Sequence, residues 1–356
     1  MPETSLEAAH GWSAQRVATA AGELTHIAAV DIFRTHGNRE LVALDRRGIC
    51  WMLLDDGGEW LVREAVHDGR PLAALGHGKV DPRVAGPGTF VGGESGTLYR
   101  IGVHPHGALD LQVVAHFPGE KIRFVLAGDL DLFQSGDELV VFTDPGGAFT
   151  VHPEGEHGAW TSAAVNGLPR GVRDAVLLPF EVGQLPVFAT ASSRGETHLA
   201  SLTPDGPEVA SLFAASVGAT SVTVGTASHG EGPIVYTALD DGRVLRHRRD
   251  PRAGWLTEPI YSGPKGPRAL AAGRFDSDPS VEALAVCQAD GSIVLLTRTG
   301  DRFATSTLLE PSGYGTALVA CEIDGRNMTD ELVACRANGE IVILARSEDR
   351  AEEDLP

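Results

Sequence analysis

Residues 268–275 read Arg-Ala-Leu-Ala-Ala-Gly-Arg-Phe, and the chain carries seven runs of this kind. The others begin at Thr25 (THIAAVDI), Arg70 (RPLAALGH), Arg123 (RFVLAGDL), Arg173 (RDAVLLPF), Thr220 (TSVTVGTA) and Thr316 (TALVACEI). Their starts are 45, 53, 50, 47, 48 and 48 residues apart. Each is a short apolar run of the kind that forms a buried strand. A period near 48 residues signals a repeat architecture, in which sequential units share one body.

The rest of each repeat follows the same plan. A loop leads to a second apolar run, such as ELVALD from Glu40, ELVVFTD from Glu138 and ELVACRA from Glu331. A glycine turn comes next, at Gly48, Gly96, Gly147, Gly195, Gly242, Gly291 and Gly339. Asp-Asp-Gly and Ala-Asn-Gly are hairpin turns. A third run and a more polar fourth complete four antiparallel strands with no helical period, the composition of a β-propeller blade. The expected fold is all-β: one seven-bladed propeller over residues 1–346, followed by an acidic, disordered tail over 347–356. Trp12, Trp160, Trp255 and Phe303 each stand 13 residues before an opening run, and Trp60 stands 10 before. Trp12 precedes the first blade, so the strand around Gly11 to Ala20 is expected to pair beside Glu340 to Arg346 and close the ring.

Bulk composition narrows the function classes. The net charge of −19 argues against binding nucleic acid or an anionic membrane. Arginine outnumbers lysine 26 to 3, a bias that with abundant Ala and Gly fits a high-GC actinobacterial genome. The opening MPETSLEAAHGWSAQ has no basic and apolar signal pattern, and no run reaches the ~18 apolar residues of a membrane span. A cytoplasmic location is expected. The four cysteines show no CxxC pair and read as small buried residues in a reducing compartment.

GDLDLFQSGDELVVF (128–142), GRFDSDPSVEALAV (273–286) and CEIDGRNMTDELVA (321–334) resemble the FG-GAP/VCBS-like propeller repeat. The resemblance implies a propeller whose acidic loops after the innermost strands often hold calcium. Here the loops keep only fragments: Asp129, Asp131 and Asp137; Asp276, Asp278 and Glu282; Glu322, Asp324 and Asp330. Phe133 and Arg326 stand where oxygen ligands belong, and calcium needs about six to eight oxygens. The expectation is no metal and no cofactor, with Asp276 and Asp278 the best remaining cation candidates. The WD40 Trp-Asp signature is absent from the sequence, and Gly-His occurs once, at Gly76-His77.

In a propeller the first residue of each innermost strand rings the mouth of the central channel. That column reads Thr25, Arg70, Arg123, Arg173, Thr220, Arg268, Thr316. Four arginines in seven places contrast with about one residue in 14 overall. The guanidinium fork suits carboxylate or phosphate, so the column predicts a site for an anionic or polar small molecule in the channel. The structural alternative pairs each Arg with an acid of a neighbouring turn, such as Asp45, Glu94, Asp144 or Asp240. His26, Asp174 and Tyr314 lie beside the column and are the candidate acid–base residues. His104, His106, His152, His157 and His247 fall toward the other face.

These readings support a small-molecule enzyme of specialised metabolism, a lyase, isomerase or cyclase. The alternative is a non-catalytic scaffold for a protein or glycan.

Overall fold

Alternating and continuous runs of Val, Leu, Ala and Thr bounded by Gly and Asp favour strands over helices. A computed structural model describes residues 8–9, 11–32, 40–56, 59–80, 86–103, 108–130, 137–154, 159–179, 184–226, 232–264, 266–278, 280–311, 313–323 and 329–347. The expected tail beyond 347 lies outside the described residues. Strand β1 (Trp12–Thr19) precedes blade one, which is β2 (Leu24–Val30), β3 (Glu40–Asp45), β4 (Ile49–Asp56) and β5 (Glu59–His67). Blade two is β6 (Leu72–Gly78), β7 (Gly88–Gly93), β8 (Thr97–Val103) and β9 (Leu109–His116). Blade three is β10 (Lys121–Gly128), β11 (Glu138–Asp144), β12 (Ala148–Glu154) and β13 (Ala159–Ala164). Blade four is β14 (Val172–Leu177), β15 (Phe188–Ser192), β16 (Glu196–Thr203) and β17 (Gly206–Ala214). Blade five is β18 (Ala219–Thr226), β19 (Pro233–Leu239), β20 (Arg243–Asp250) and β21 (Gly254–Ser262). Blade six is β22 (Pro267–Ala272), β23 (Ala283–Gln288), β24 (Ile293–Thr299) and β25 (Arg302–Leu309). Blade seven takes β26 (Gly315–Cys321), β27 (Glu331–Arg336) and β28 (Glu340–Arg346).

The seven sheets have four antiparallel strands each, and the seventh runs β1-β28-β27-β26. The first strand therefore closes the ring, with Trp12 opposite Arg346 and Thr19 opposite Glu340. The Arg346 guanidinium lies over the Trp12 ring, 5.5 Å from its centroid.

The core lies between blades, because each second strand is buried on both faces. In β3, Leu41 and Ala43 join the cluster shared with blade seven, while Val42 and Leu44 join the one shared with blade two. This is strand alternation of period two. Seven such clusters fill the seven seams. Each buried Leu or Val adds roughly 1.5–3 kcal/mol. The aromatic markers of the fourth strands all pack back against the preceding blade. Trp12 sits 6.3 Å from Phe275 of blade six, and Trp160 sits 5.9 Å from Phe90 of blade two. Trp60, Trp255 and Phe303 do the same at the seams of blades seven and one, four and five, and five and six. The turns need glycine: Gly339, for example, holds φ of 87°, where a side chain is strained.

A candidate anion site at the channel mouth

Each innermost strand carries one β-bulge near its start, and the extra residue is the column residue. The bulges fall at Thr25, Ala73, Arg123, Arg173, Thr220, Arg268 and Thr316. Blade two departs from the sequence reading here: the place assigned to Arg70 belongs to Ala73, three residues on. A second register mark agrees. The turn after the second strand donates a backbone N–H to the carbonyl two residues before the bulge: Arg46 to Glu23, Glu94 to Pro71, Ser193 to Gly171 and Asp240 to Gly218. Arg70 thus lies exposed in the connection ahead of β6. The bulges turn one side chain per blade toward the mouth.

Below the mouth is a cavity of about 390 Å³ walled by the innermost strands. Thr25, His26, Arg173, Asp174, Thr220, Arg268 and Thr316 line it; Arg70 and Arg123 do not. A larger cleft of about 600 Å³ opens between blades four and five, where Glu208 and Arg249 join apolar residues such as Leu178, Leu199 and Trp255, but its walls include no column residue.

The threonines use their hydroxyl protons on the frame. Thr25 shares its proton between the carbonyls of Leu44 at 3.2 Å and Leu72, in the next blade, at 2.8 Å. Thr220 does the same with Ala238 at 3.3 Å and Pro267 at 2.9 Å, and Thr316 donates to Cys335 at 3.2 Å. Only their lone pairs are left for a ligand. Arg123 pairs with Asp144 at 2.9 Å and Arg173 with Asp240 at 3.0 Å. Arg268 differs: its guanidinium stacks over the exposed Tyr314 ring at 5.1 Å and makes no ion pair among the described residues.

His26 and Asp174 face the same cavity, and burial shifts both toward neutrality. Desolvation lowers His26 to about 4, and its Nδ1 has no hydrogen-bond partner among the described residues. It is a weak base. Desolvation raises Asp174 to about 6, against hydrogen bonds from Ser221, Val222 and Ala175 that favour the carboxylate. Asp174 Oδ2 accepts from Ser221 Oγ at 2.7 Å and from the Val222 N–H at 2.9 Å. Ser221 Oγ accepts in turn from the Leu270 N–H at 3.3 Å, so this network joins blades four, five and six. Ser221 was missed in the sequence because a serine beginning a strand looks ordinary.

Several acids of the FG-GAP-like motifs, and Glu40 at the matching place in blade one, accept from backbone N–H groups. Glu40, Glu138 and Glu331 accept from the N–H groups of Ile32, Leu130 and Ile323 at 2.9, 3.1 and 2.8 Å. Asp137 and Asp330 reach the preceding blade, accepting from Lys79 and Arg274 N–H at 2.7 and 2.6 Å. Gly78 and Gly273 make room, since a Cβ there would lie 3.2 and 3.0 Å from those carboxylates. Asp276 accepts from the Asp278 N–H at 3.0 Å and Asp278 from the Ser280 N–H at 2.9 Å. Asp131, Phe133, Asp324 and Arg326 lie outside the described residues, as do His104, His106 and His157.

Glu282 has another role. It is buried, and Arg246 grips it with Nε at 2.7 Å and Nη2 at 2.9 Å. Arg298 adds a bond at 3.1 Å, and the Tyr236 hydroxyl donates to the same carboxylate. Burial alone would raise Glu282, but these donors hold it below the ordinary value. This cluster at the seam of blades five and six was hidden in the sequence: Arg246 sits in RVLRHRR, the third strand run of blade five, and meets Glu282 only across the seam. The signal was spacing, because Arg246 shares a strand face with the apolar Val244. His247, on the opposite face of β20, is buried between Thr257 at 2.8 Å and Thr237 at 3.1 Å.

No protein-family model and no curated protein matches the chain. Solved structures do. The WD40 β-propeller domain of Doa1 aligns with a TM-score of 0.66 and 13% identity over 96% of this chain and 99% of that one. The β-propeller domain of Myceliophteria thermophila Cps50 (Swd1) gives 0.63 and 8%, over 93% and 99%. BBS1N, solved in complex with ARL6DN, gives 0.62 and 15%, over 97% and 98%. At these identities the likeness concerns the fold, and the chain is a seven-bladed β-propeller.

Proposed function

We propose that the protein binds a small anionic molecule at the channel mouth and performs acid–base chemistry on it, as a lyase, isomerase or cyclase. The observation that carries this reading is Arg268. It lines the cavity without a carboxylate partner among the described residues, and it rests on Tyr314 within a ring that also presents Asp174. A guanidinium held by an aromatic face is a ready donor fork for an oxyanion. Arg173 adds a second charge that can turn from Asp240. Arg70 and Arg123 leave the proposed site. Asp174 is the acid–base group, and His26 a neutral wall residue. The free, buried Cys50, Cys287 and Cys335 fit a reducing cytoplasm. The Gly-Asp-Glu-Leu and Thr-Asp-Glu-Leu motifs support kinship with FG-GAP/VCBS-like repeats.

Calorimetric titration with sulfate tests the reading. Arg268→Met should weaken binding by about 1.5–3 kcal/mol, while Arg70→Met should leave it unchanged. Equal affinity in wild type and Arg268→Met removes the site.

A second reading rests on a separate observation. Leu61 and Val62 of β5 and Leu111 and Val113 of β9 are 41%, 44%, 49% and 58% exposed on the outer strands of adjacent blades. Such a strip suits a protein partner, the role of a non-catalytic scaffold. Loss of solution binding partners in Val113→Asp, with sulfate binding intact, would favour it.

A further inference from the structure

We propose that Ser221 and Asp174 make the channel a pH-gated anion site, in which Asp174 admits an oxyanion only as the neutral acid, with its proton on Oδ1. This rests on the anion-site reading above. It identifies the ligand class as an oxyanion that can accept a hydrogen bond, and Ser221 as the positioning residue.

The hydrogen bonds determine where the proton sits. A backbone N–H can only donate, so the Leu270 N–H, 3.3 Å from Ser221 Oγ, makes that oxygen an acceptor. The single hydroxyl proton of Ser221 then points to Asp174 Oδ2, at 2.7 Å. The Val222 N–H, also an obligate donor, reaches the same oxygen at 2.9 Å. With two donors aimed at it, Oδ2 is an acceptor in both protonation states. When Asp174 takes up a proton, it goes to Oδ1. The acid then offers an O–H to the cavity, whereas the carboxylate presents a negative charge to any anion held by Arg268.

The surroundings leave Asp174 as the group that titrates near neutrality. Among the described residues, the other ionisable groups lining the cavity are His26 on β2, Arg173 on β14 and Arg268 on β22. The arginines stay charged, and burial keeps His26 neutral until about pH 4. On the neighbouring β10, Arg123 is turned to Asp144 at 2.9 Å. β18 contributes hydroxyls from Thr220 and Ser221, and no titratable group to the lining. Asp174 itself changes state at about pH 6.

Sulfate is the probe, because it does not titrate between pH 5 and pH 8. Wild-type affinity should strengthen about tenfold or more from pH 7.5 to pH 5, the usual scale for gaining a donor and losing a like charge. Asp174→Asn should bind with little pH dependence. Ser221→Ala should move the midpoint upward by removing a donor to the carboxylate, and Ser221→Thr should restore it. A carbon-13 titration of the Asp174 carboxyl, assigned by its loss in Asp174→Asn, should show the same shift without any ligand. Saturable sulfate binding that is flat with pH in wild type, or still pH-dependent in Asp174→Asn, overturns the gate and leaves the anion site standing. An Asp174 midpoint unmoved in Ser221→Ala overturns the role of Ser221. Absence of sulfate binding to wild type and Asp174→Asn at every pH overturns the anion site and the gate with it.

Discussion

The same chemistry, arginine against carboxylate, occurs in two regions with opposite consequences. At the seam of blades five and six, Arg246 and Glu282 are 1% and 2% exposed and every polar atom of the carboxylate is engaged. At the mouth, Arg123 and Asp144 are 39% and 53% exposed, and Arg173 and Asp240 are both 40% exposed. The buried cluster cannot exchange its partners for water, so it fastens two blades together. The mouth pairs can, and an arriving anion competes for their guanidinium groups at little cost. Burial, more than residue type, separates a clamp from a site.

The largest effect should come from breaking the clamp. Glu282→Ala removes the acceptor of Arg246 Nε and Nη2 and of the Tyr236 hydroxyl, while Arg246 Nη1 keeps Glu258 at 2.8 Å, and should lower unfolding stability by about 3–5 kcal/mol in a denaturant titration. Replacing both partners, Arg246→Met with Glu282→Leu, should cost much less, because no charge is then stranded. Equal losses in the single and the double variant would break the comparison.

Next come the buried titrating groups, whose signs oppose. His26 and His247 are both lowered from 6.5 to about 4 by burial. Between those values the unfolded chain binds protons that the folded chain refuses. Stability present above pH 6.5 should therefore fall as pH drops toward 4, by up to about 3 kcal/mol per histidine. Asp174 is raised from 3.8 to about 6. It stabilises below the unfolded value, and that contribution is lost as pH rises through about 6. Asp174→Asn should accordingly gain about 1–3 kcal/mol at pH 8 and little at pH 4. Thermal melts across pH 4–8 check both signs.

The smallest effect belongs to the mouth. Arg123→Met and Arg173→Met should each change stability by less than about 1 kcal/mol, as exposed pairs do. A loss comparable to that of Glu282→Ala would make them clamps as well.

Much of the fold was legible. Runs near 48 residues apart specify seven blades, and the 13-residue offset of Trp12 specifies which strand closes the ring. Both are local signals, written in spacing and apolar pattern. The column was legible except in blade two. There RPLAALGH and AALGHGKV are both apolar runs, and a bulge adds a residue without marking the sequence. Moving from Arg70 to Ala73 replaces spacings of 45 and 53 residues with 48 and 50. Regular spacing was the available clue.

The sequence by itself determined the repeat, the blade count and the closing strand, because these depend on periodicity and on burying apolar surface. Only the tertiary structure decided which charges are clamps and which are free. Arg246 meets Glu282, 36 residues away, in the next blade. Arg173 meets Asp240, 67 residues away. Arg268 meets an aromatic ring instead of an acid. Those assignments depend on distance and on exclusion of water, and both arise only when blades from distant parts of the chain close around one axis.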